Sequence, residues 1–220
     1  MRSIVLIVIF LFISCSKKEE RKYEKIDVAI KREIKNPTIE RNKYSEIETY
    51  LDSLGKHIIP NNKYQYWQYA TYNSSFGDEK YIILKQGGNL SLRKRINEKI
   101  NPPYIVGIFQ GGHPNFRCNY ISTVKNGKVN YIKTEEEFRD FLGTIDNLEE
   151  ALLLARTYGY RLGVETQSDY KKLENGYVLH LIKYNQFPIR IESVEVTISI
   201  DGFIKTKSLG IYCEGENCYK

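Results

Sequence analysis

Three observations predict an α+β fold, mainly antiparallel sheet with a central buried helix pair. Short alternating runs are separated by Asn126-Gly127, Asn175-Gly176 and Asp201-Gly202, residue pairs that favour the backbone of tight hairpins. Two helix patterns follow one another directly between Thr134 and Gly159, each with its own start and stop signals. Strand and helix signals do not alternate regularly enough for a parallel doubly wound sheet.

The first fifteen residues, MRSIVLIVIFLFISC, read as an address. Arg2 supplies a positive start, Ile4 to Ile13 an unbroken apolar run, and Ser14 a small side chain before Cys15, the order of a secretory signal. A spanning helix needs about 20 apolar residues, roughly twice what this run offers. The residues resemble the lipobox of bacterial lipoproteins, in which a cysteine behind a small residue and an apolar stretch becomes the lipidated start of the mature chain. That resemblance implies that residues 1–14 are a removed signal peptide, that Cys15 carries palmitate-type lipid, and that the membrane is a partner through this anchor. Ser16-Lys17-Lys18-Glu19-Glu20 resembles the charged tag of surface-exported lipoproteins. Nothing at Ser16 resembles the aspartate that retains lipoproteins at the inner membrane. The implied location is therefore the cell outer membrane, on its periplasmic face or at the cell surface.

Residues 15–42 read as a lipidated tether, charge-dense around Ile26, Val28 and Ile30, whose alternation also fits a short edge strand. The globular α+β domain then spans residues 43–220. Ser45 and Glu48 make a capping box for a helix carrying Tyr44, Ile47, Tyr50, Leu51 and Leu54 and ending at Gly55. Tyr64 to Tyr72 and Lys80 to Lys85 read as strands around a loop at 73–78. Residues 86–103, basic and broken by Gly87-Gly88 and Pro102-Pro103, read as a surface connection. Tyr104 to Gln110 reads as a buried strand, and Arg117 to Val124 with Val129 to Lys133 as a hairpin.

Thr134 and Glu137 form a second capping box, for a helix bearing Phe138, Phe141 and Leu142 and closed by Gly143. Asp146 or Asn147 caps the next helix, whose Leu148, Ala151, Leu152, Leu153, Leu154 and Ala155 make it apolar around much of its circumference. The C-terminal third reads as strands at 177–184, 189–200 and 203–209. A parity switch at Glu192-Ser193, between Ile189/Ile191 and Val194/Val196/Ile198, predicts a β-bulge.

Composition narrows the classes of function. The chain carries 33 basic and 27 acidic residues, net +6, interleaved rather than clustered; Arg93-Lys94-Arg95 is too short for a nucleic-acid footprint. With Cys15 lipidated, Cys118, Cys213 and Cys218 remain. In an oxidising compartment Cys213 and Cys218, enclosing Glu214-Gly215-Glu216-Asn217, are the natural disulfide couple. His113 and Cys118 are the local histidine and cysteine that could pair as base and nucleophile, but Gly111-Gly112-His113-Pro114-Asn115 reads as a turn joining two strands and Cys118 as a small core residue on the second. No spacing matches a structural zinc site, and neither double glycine has the lysine of a phosphate loop. No catalytic residue, metal or cofactor is assigned.

One stretch suggests a ligand. Alternation places Tyr64, Tyr66 and Tyr72 on one face of their strand and Trp67 and Tyr69 on the other. If Trp67 and Tyr69 are exposed they form a platform for a glycan or an envelope protein; if the strand is covered on both faces they are core. The sequence is thus read as an envelope-anchored lipoprotein acting as a non-enzymatic binding or structural module. The alternatives are an envelope hydrolase acting on glycan or peptide, or an inhibitor or immunity lipoprotein. Replacing Cys15 with Ala should move the protein out of the membrane fraction and change its gel mobility; retention of both would refute lipidation.

Overall fold

The computed structural model describes residues 44–47, 51–73, 80–97, 109–110, 117–163 and 168–219, all within the compact unit Ile34–Lys220. The expected signal peptide at 1–14, Cys15, the expected tether at 15–42, His113 and residues 104–108 of the strand read at 104–110 lie outside the described residues. One sheet runs β1 (Ser45–Glu46), β8 (Asp169–Leu173), β9 (Gly176–Gln186), β10 (Ile189–Ser199), β11 (Ile204–Glu214), with β7 (Tyr160–Arg161) also pairing with β9. The other runs β3 (Lys80–Gly88), β2 (Tyr66–Asn73), β5 (Arg117–Lys125), β4 (Phe109–Gln110), with β6 (Lys128–Ile132) on β5. Every strand pairing among the described residues is antiparallel. The helices are few: α1 (Leu51–Leu54), α2 (Arg93–Asn97), α3 (Glu135–Leu142) and α4 (Leu148–Thr157). None among the described residues is long and apolar enough to cross a membrane.

Local chemistry explains several elements directly. Asn126 and Gly127 both take positive φ, 51° and 71°, the backbone of a two-residue hairpin turn. Thr134 accepts from the Glu137 N–H at 3.1 Å while Glu137 accepts from the Thr134 N–H, so the predicted capping box is present. Asn147 is the cap of α4, accepting from the Glu150 N–H at 2.9 Å. Asp146 instead donates its backbone N–H to the Glu150 carboxylate.

The larger buried cluster joins both sheets and both longer helices: Phe138, Phe141 and Leu142 of α3, Ala151 to Ala155 of α4, Leu179, Leu181, Val194, Val196 and Ile198 of the first sheet, and Trp67, Tyr69, Ile121 and Ile132 of the second. The disulfide joins Cys213 and Cys218, with Cα atoms 5.3 Å apart. It ties the 3-10 turn Gly215–Tyr219 back to the end of β11.

Three expectations are corrected, and a fourth is located more closely. Ser45 does not cap a helix: Ser45 and Glu46 pair with Tyr170 and Asp169 as β1, so sheet hydrogen bonds claim the backbone that a helix start would have used. Gly55 does not close a helix, because α1 continues into a 3-10 turn, Gly55–His57; a Cβ there would run into the Tyr69 ring. Residues 86–97 are not a plain connection, since β3 extends to Gly88 and a 3-10 turn, Leu90–Leu92, leads into α2. At the predicted bulge the extra residues lie in β11: Ile191, Glu192, Ser193 and Val194 face Cys213, Ile211, Gly210 and Ser208, while β10 stays in unbroken register with β9.

The aromatic strand is covered on both faces. Trp67 is 7% and Tyr69 1% exposed, and on the opposite face Tyr66 is fully buried. The platform is therefore not at the surface. Trp67 meets Phe141 edge-on, ring centroids 5.7 Å apart, and Gly87 leaves room for the indole, because a Cβ there would lie 2.7 Å from its nitrogen. Replacing Trp67 with Ala should cost roughly 3–5 kcal/mol, read as a lowered urea midpoint. An unchanged midpoint would contradict this packing.

Candidate functional site

A groove of about 360 Å³ opens beside β5, β6 and α3, with Tyr64 at one side. The hairpin register builds one wall: Thr123 faces Asn130 across β5 and β6, and Val124 faces Val129. Val124 packs with the fully buried Tyr66 in a second, smaller cluster. Lys125 and Lys133 line the groove from the strand ends. The opposite wall is α3, where Glu137 and Asp140, three apart, share one helix face.

The loop before β2 is stitched to the end of this helix. Asn61 donates its backbone N–H to the Phe141 carbonyl at 3.0 Å and its side-chain amide to the Asp140 carbonyl. Lys63 Nζ lies 2.8 Å from Asp140 Oδ1. These bonds hold Tyr64 over the groove, with its ring 5.2 Å from Phe141. Burial, then the negative charges of Asp140 and Glu137, push the Tyr64 phenol up to about 12. It therefore stays protonated at neutral pH and donates to Asp140. The Lys63 hydrogen bond holds the Asp140 carboxyl below its ordinary range.

The acids are thus committed. Asp140 is held by Lys63 and Tyr64, and Glu137 accepts backbone N–H groups of Lys133 and Thr134. The cations are not. Lys125 Nζ sits 5.7 Å from the centre of the Tyr64 ring, and neither Lys125 nor Lys133 has an ion-pair partner among the described residues. Two ammonium groups without an ion pair among the described residues, two tyrosine rings and the Asn130 amide in one concavity suit a polar, ring-containing anion.

The residues singled out in the sequence do not converge here. Trp67 and Tyr69 are core, Cys213 and Cys218 form the C-terminal disulfide, and Cys118 contributes backbone to β5 with its side chain outside the description. His57, which no sequence pattern marks as a site residue, is exposed, 3.9 Å from Glu149. Among the described residues no group of three or more His, Cys, Asp and Glu is placed to hold a metal ion.

His180 holds an unforeseen arrangement. Asp169, His180 and Glu195 stand side by side across β8, β9 and β10. Nδ1 of His180 lies 2.5 Å from Asp169 Oδ1 and Nε2 lies 3.4 Å from Glu195 Oε2, with the Tyr44 ring 4.5 Å away. The Leu179-His180-Leu181 context gave no sign of two carboxylates at one ring. Likewise the groove brings together positions 64, 125, 133 and 140, which no local pattern links.

No family model, no curated protein and no solved structure matches the chain.

The Lys63–Asp140 contact gives a titration test. Asp140 is held below its ordinary 3.8, so its contribution to stability is present above that value and is lost as pH falls through the folded-state value. Half-exposed, it is screened by solvent and contributes little. Replacing Lys63 with Met should move the Asp140 carboxyl titration upward in carbon-detected NMR while thermal stability hardly changes. An unmoved titration would show that Lys63 does not hold the carboxylate.

Proposed function

We propose that the mature chain is a bacterial lipoprotein held at the outer membrane through Cys15, working as a non-enzymatic binding module whose groove takes an acidic glycan. The groove carries this reading: its carboxylates are spent on the Lys63 ion pair and the α3 cap, while Lys125 and Lys133, beside tyrosine rings, make no ion pair among the described residues. A site for proton transfer needs a carboxyl with a free path to substrate; a holding site needs fixed shape and unpaired donors. Tyrosine rings supply apolar faces for sugar rings, and lysine ammonium groups match sugar carboxylates.

Two further points support the reading. The Cys213–Cys218 bond suits an oxidising compartment outside the cytoplasm. Within the same proposal, α3 and α4 form the central buried helix pair, a rigid mount for the acidic wall of the groove.

Insoluble peptidoglycan sacculi, in which stem-peptide carboxylates flank the sugar rings, are the probe. The purified lipidated protein in detergent should sediment with them, and Lys125→Glu with Lys133→Glu should weaken binding roughly tenfold or more. Both lysines are exposed, so the melting temperature should not change. Absence of sedimentation would sink the glycan assignment and direct attention to a protein ligand, as for an inhibitor lipoprotein. Clearing of the sacculi would favour the hydrolase.

A further inference from the structure

The β9–β10 hairpin ends in Phe187, which is 89% exposed. Tyr184, further back along β9, is 43% exposed and stands opposite Ile191. Tyr158, at the end of α4, is 38% exposed. The chain passes from it through Gly159 to Tyr160, which pairs with Lys183, so Tyr158 lies at the same end of the sheet as the hairpin tip. Ile189 and Ile191, on the same strand face as Tyr184, are only partly buried. One end of this sheet therefore presents three aromatic rings and an aliphatic margin to solvent, more than a lone surface hydrophobe would.

Cations accompany the rings. Arg161 and Lys183 face Ile182 and Tyr160 in the β7–β9 pairing, Lys183 Nζ lies 5.4 Å from the Tyr160 ring, and neither makes an ion pair among the described residues. Arg190 is paired with Glu192 at 3.7 Å. Projecting Phe and Tyr rings beside unpaired Arg and Lys match a bilayer surface, where rings enter the headgroup boundary and cations meet anionic lipid. A tip that projects suits a deformable surface better than it suits a preformed protein groove.

We propose that this hairpin end, Phe187 with Tyr184 and Tyr158, inserts into the surface of the bilayer that holds the lipid anchor, fixing the domain's orientation at the membrane. The inference rests on the reading of Cys15 as the anchor. Ser16 to Lys43, 28 residues, can reach at most about 100 Å when fully extended, so the domain is always close to the bilayer. Under that confinement even a small apolar tip is presented to lipid at high effective concentration.

The test uses purified lipidated protein in vesicles of phosphatidylethanolamine with a minority of phosphatidylglycerol, brominated at shallow acyl positions. Phe187→Trp places a reporter at the tip, and the buried Trp67 of the unsubstituted protein provides the background. Emission from the introduced indole should shift to the blue and be lost to bromine quenching, while the unsubstituted protein shows neither change. Flotation of both proteins with the vesicles without extra quenching in the variant would overturn the insertion and leave anchoring intact. Failure of both to float would overturn the anchor, and the insertion with it.

Discussion

The carboxylate of Glu150 is the constraint on which much of this architecture depends. It is fully buried in the first turn of α4, yet it accepts the backbone N–H of Ile59 at 2.6 Å and of Asp146 at 2.8 Å. Burial raises its pKa, against the pull of the N–H groups toward the charged form. The carboxylate therefore holds two chain segments that would otherwise bury unsatisfied donors, at about 1–3 kcal/mol each. One segment is the link between α3 and α4; the other lies 91 residues earlier in sequence.

That second segment leads to the groove. Leu54 and Ile58, just before Ile59, are buried in the main cluster. Asn147 donates to the His57 carbonyl at 3.1 Å, so the cap residue of α4 also grips this stretch. Two residues after Ile59, Asn61 binds the last turn of α3, and Lys63 and Tyr64 then meet Asp140. The geometry of the candidate site thus descends from a buried carboxylate that is not part of it. Gly143, at φ +77°, closes α3 so tightly beside Asn61 that a Cβ there would lie 3.0 Å from the Asn61 Cβ.

The elements legible in the sequence are those whose cause is local. Asn126-Gly127 needs only its own backbone preference to make a hairpin, and Thr134 with Glu137 satisfy one another within a turn. Cys213 and Cys218 are close because the intervening loop is short. What stayed hidden depends on distant partners. Ser45 carries a plausible cap signal, but β8 offers its backbone a sheet partner, and sheet pairing is invisible in a single window. Gly55 and Gly87 looked like punctuation, whereas each makes space for a ring from β2. The bulge was readable at Glu192-Ser193, but only pairing reveals that Leu209 and Tyr212 are the residues passed over.

The row Asp169–His180–Glu195 shows how the same logic operates on charge. It lies across β8, β9 and β10 on the opposite face from Leu179, Leu181, Val194 and Val196, yet Asp169 and His180 are as buried as core residues. Two carboxylates so placed would repel one another across the low-dielectric sheet face. The imidazole between them presents one ring nitrogen to each. Because a buried charge is tolerated when paired and costly when orphaned, the three residues stand or fall together. The Tyr44 ring lies against His180, and Glu46, two residues on, is paired with Asp169. β1 therefore joins the sheet directly beside this row, the Tyr44 ring lying against the imidazole where the β1–β8 backbone pairing begins.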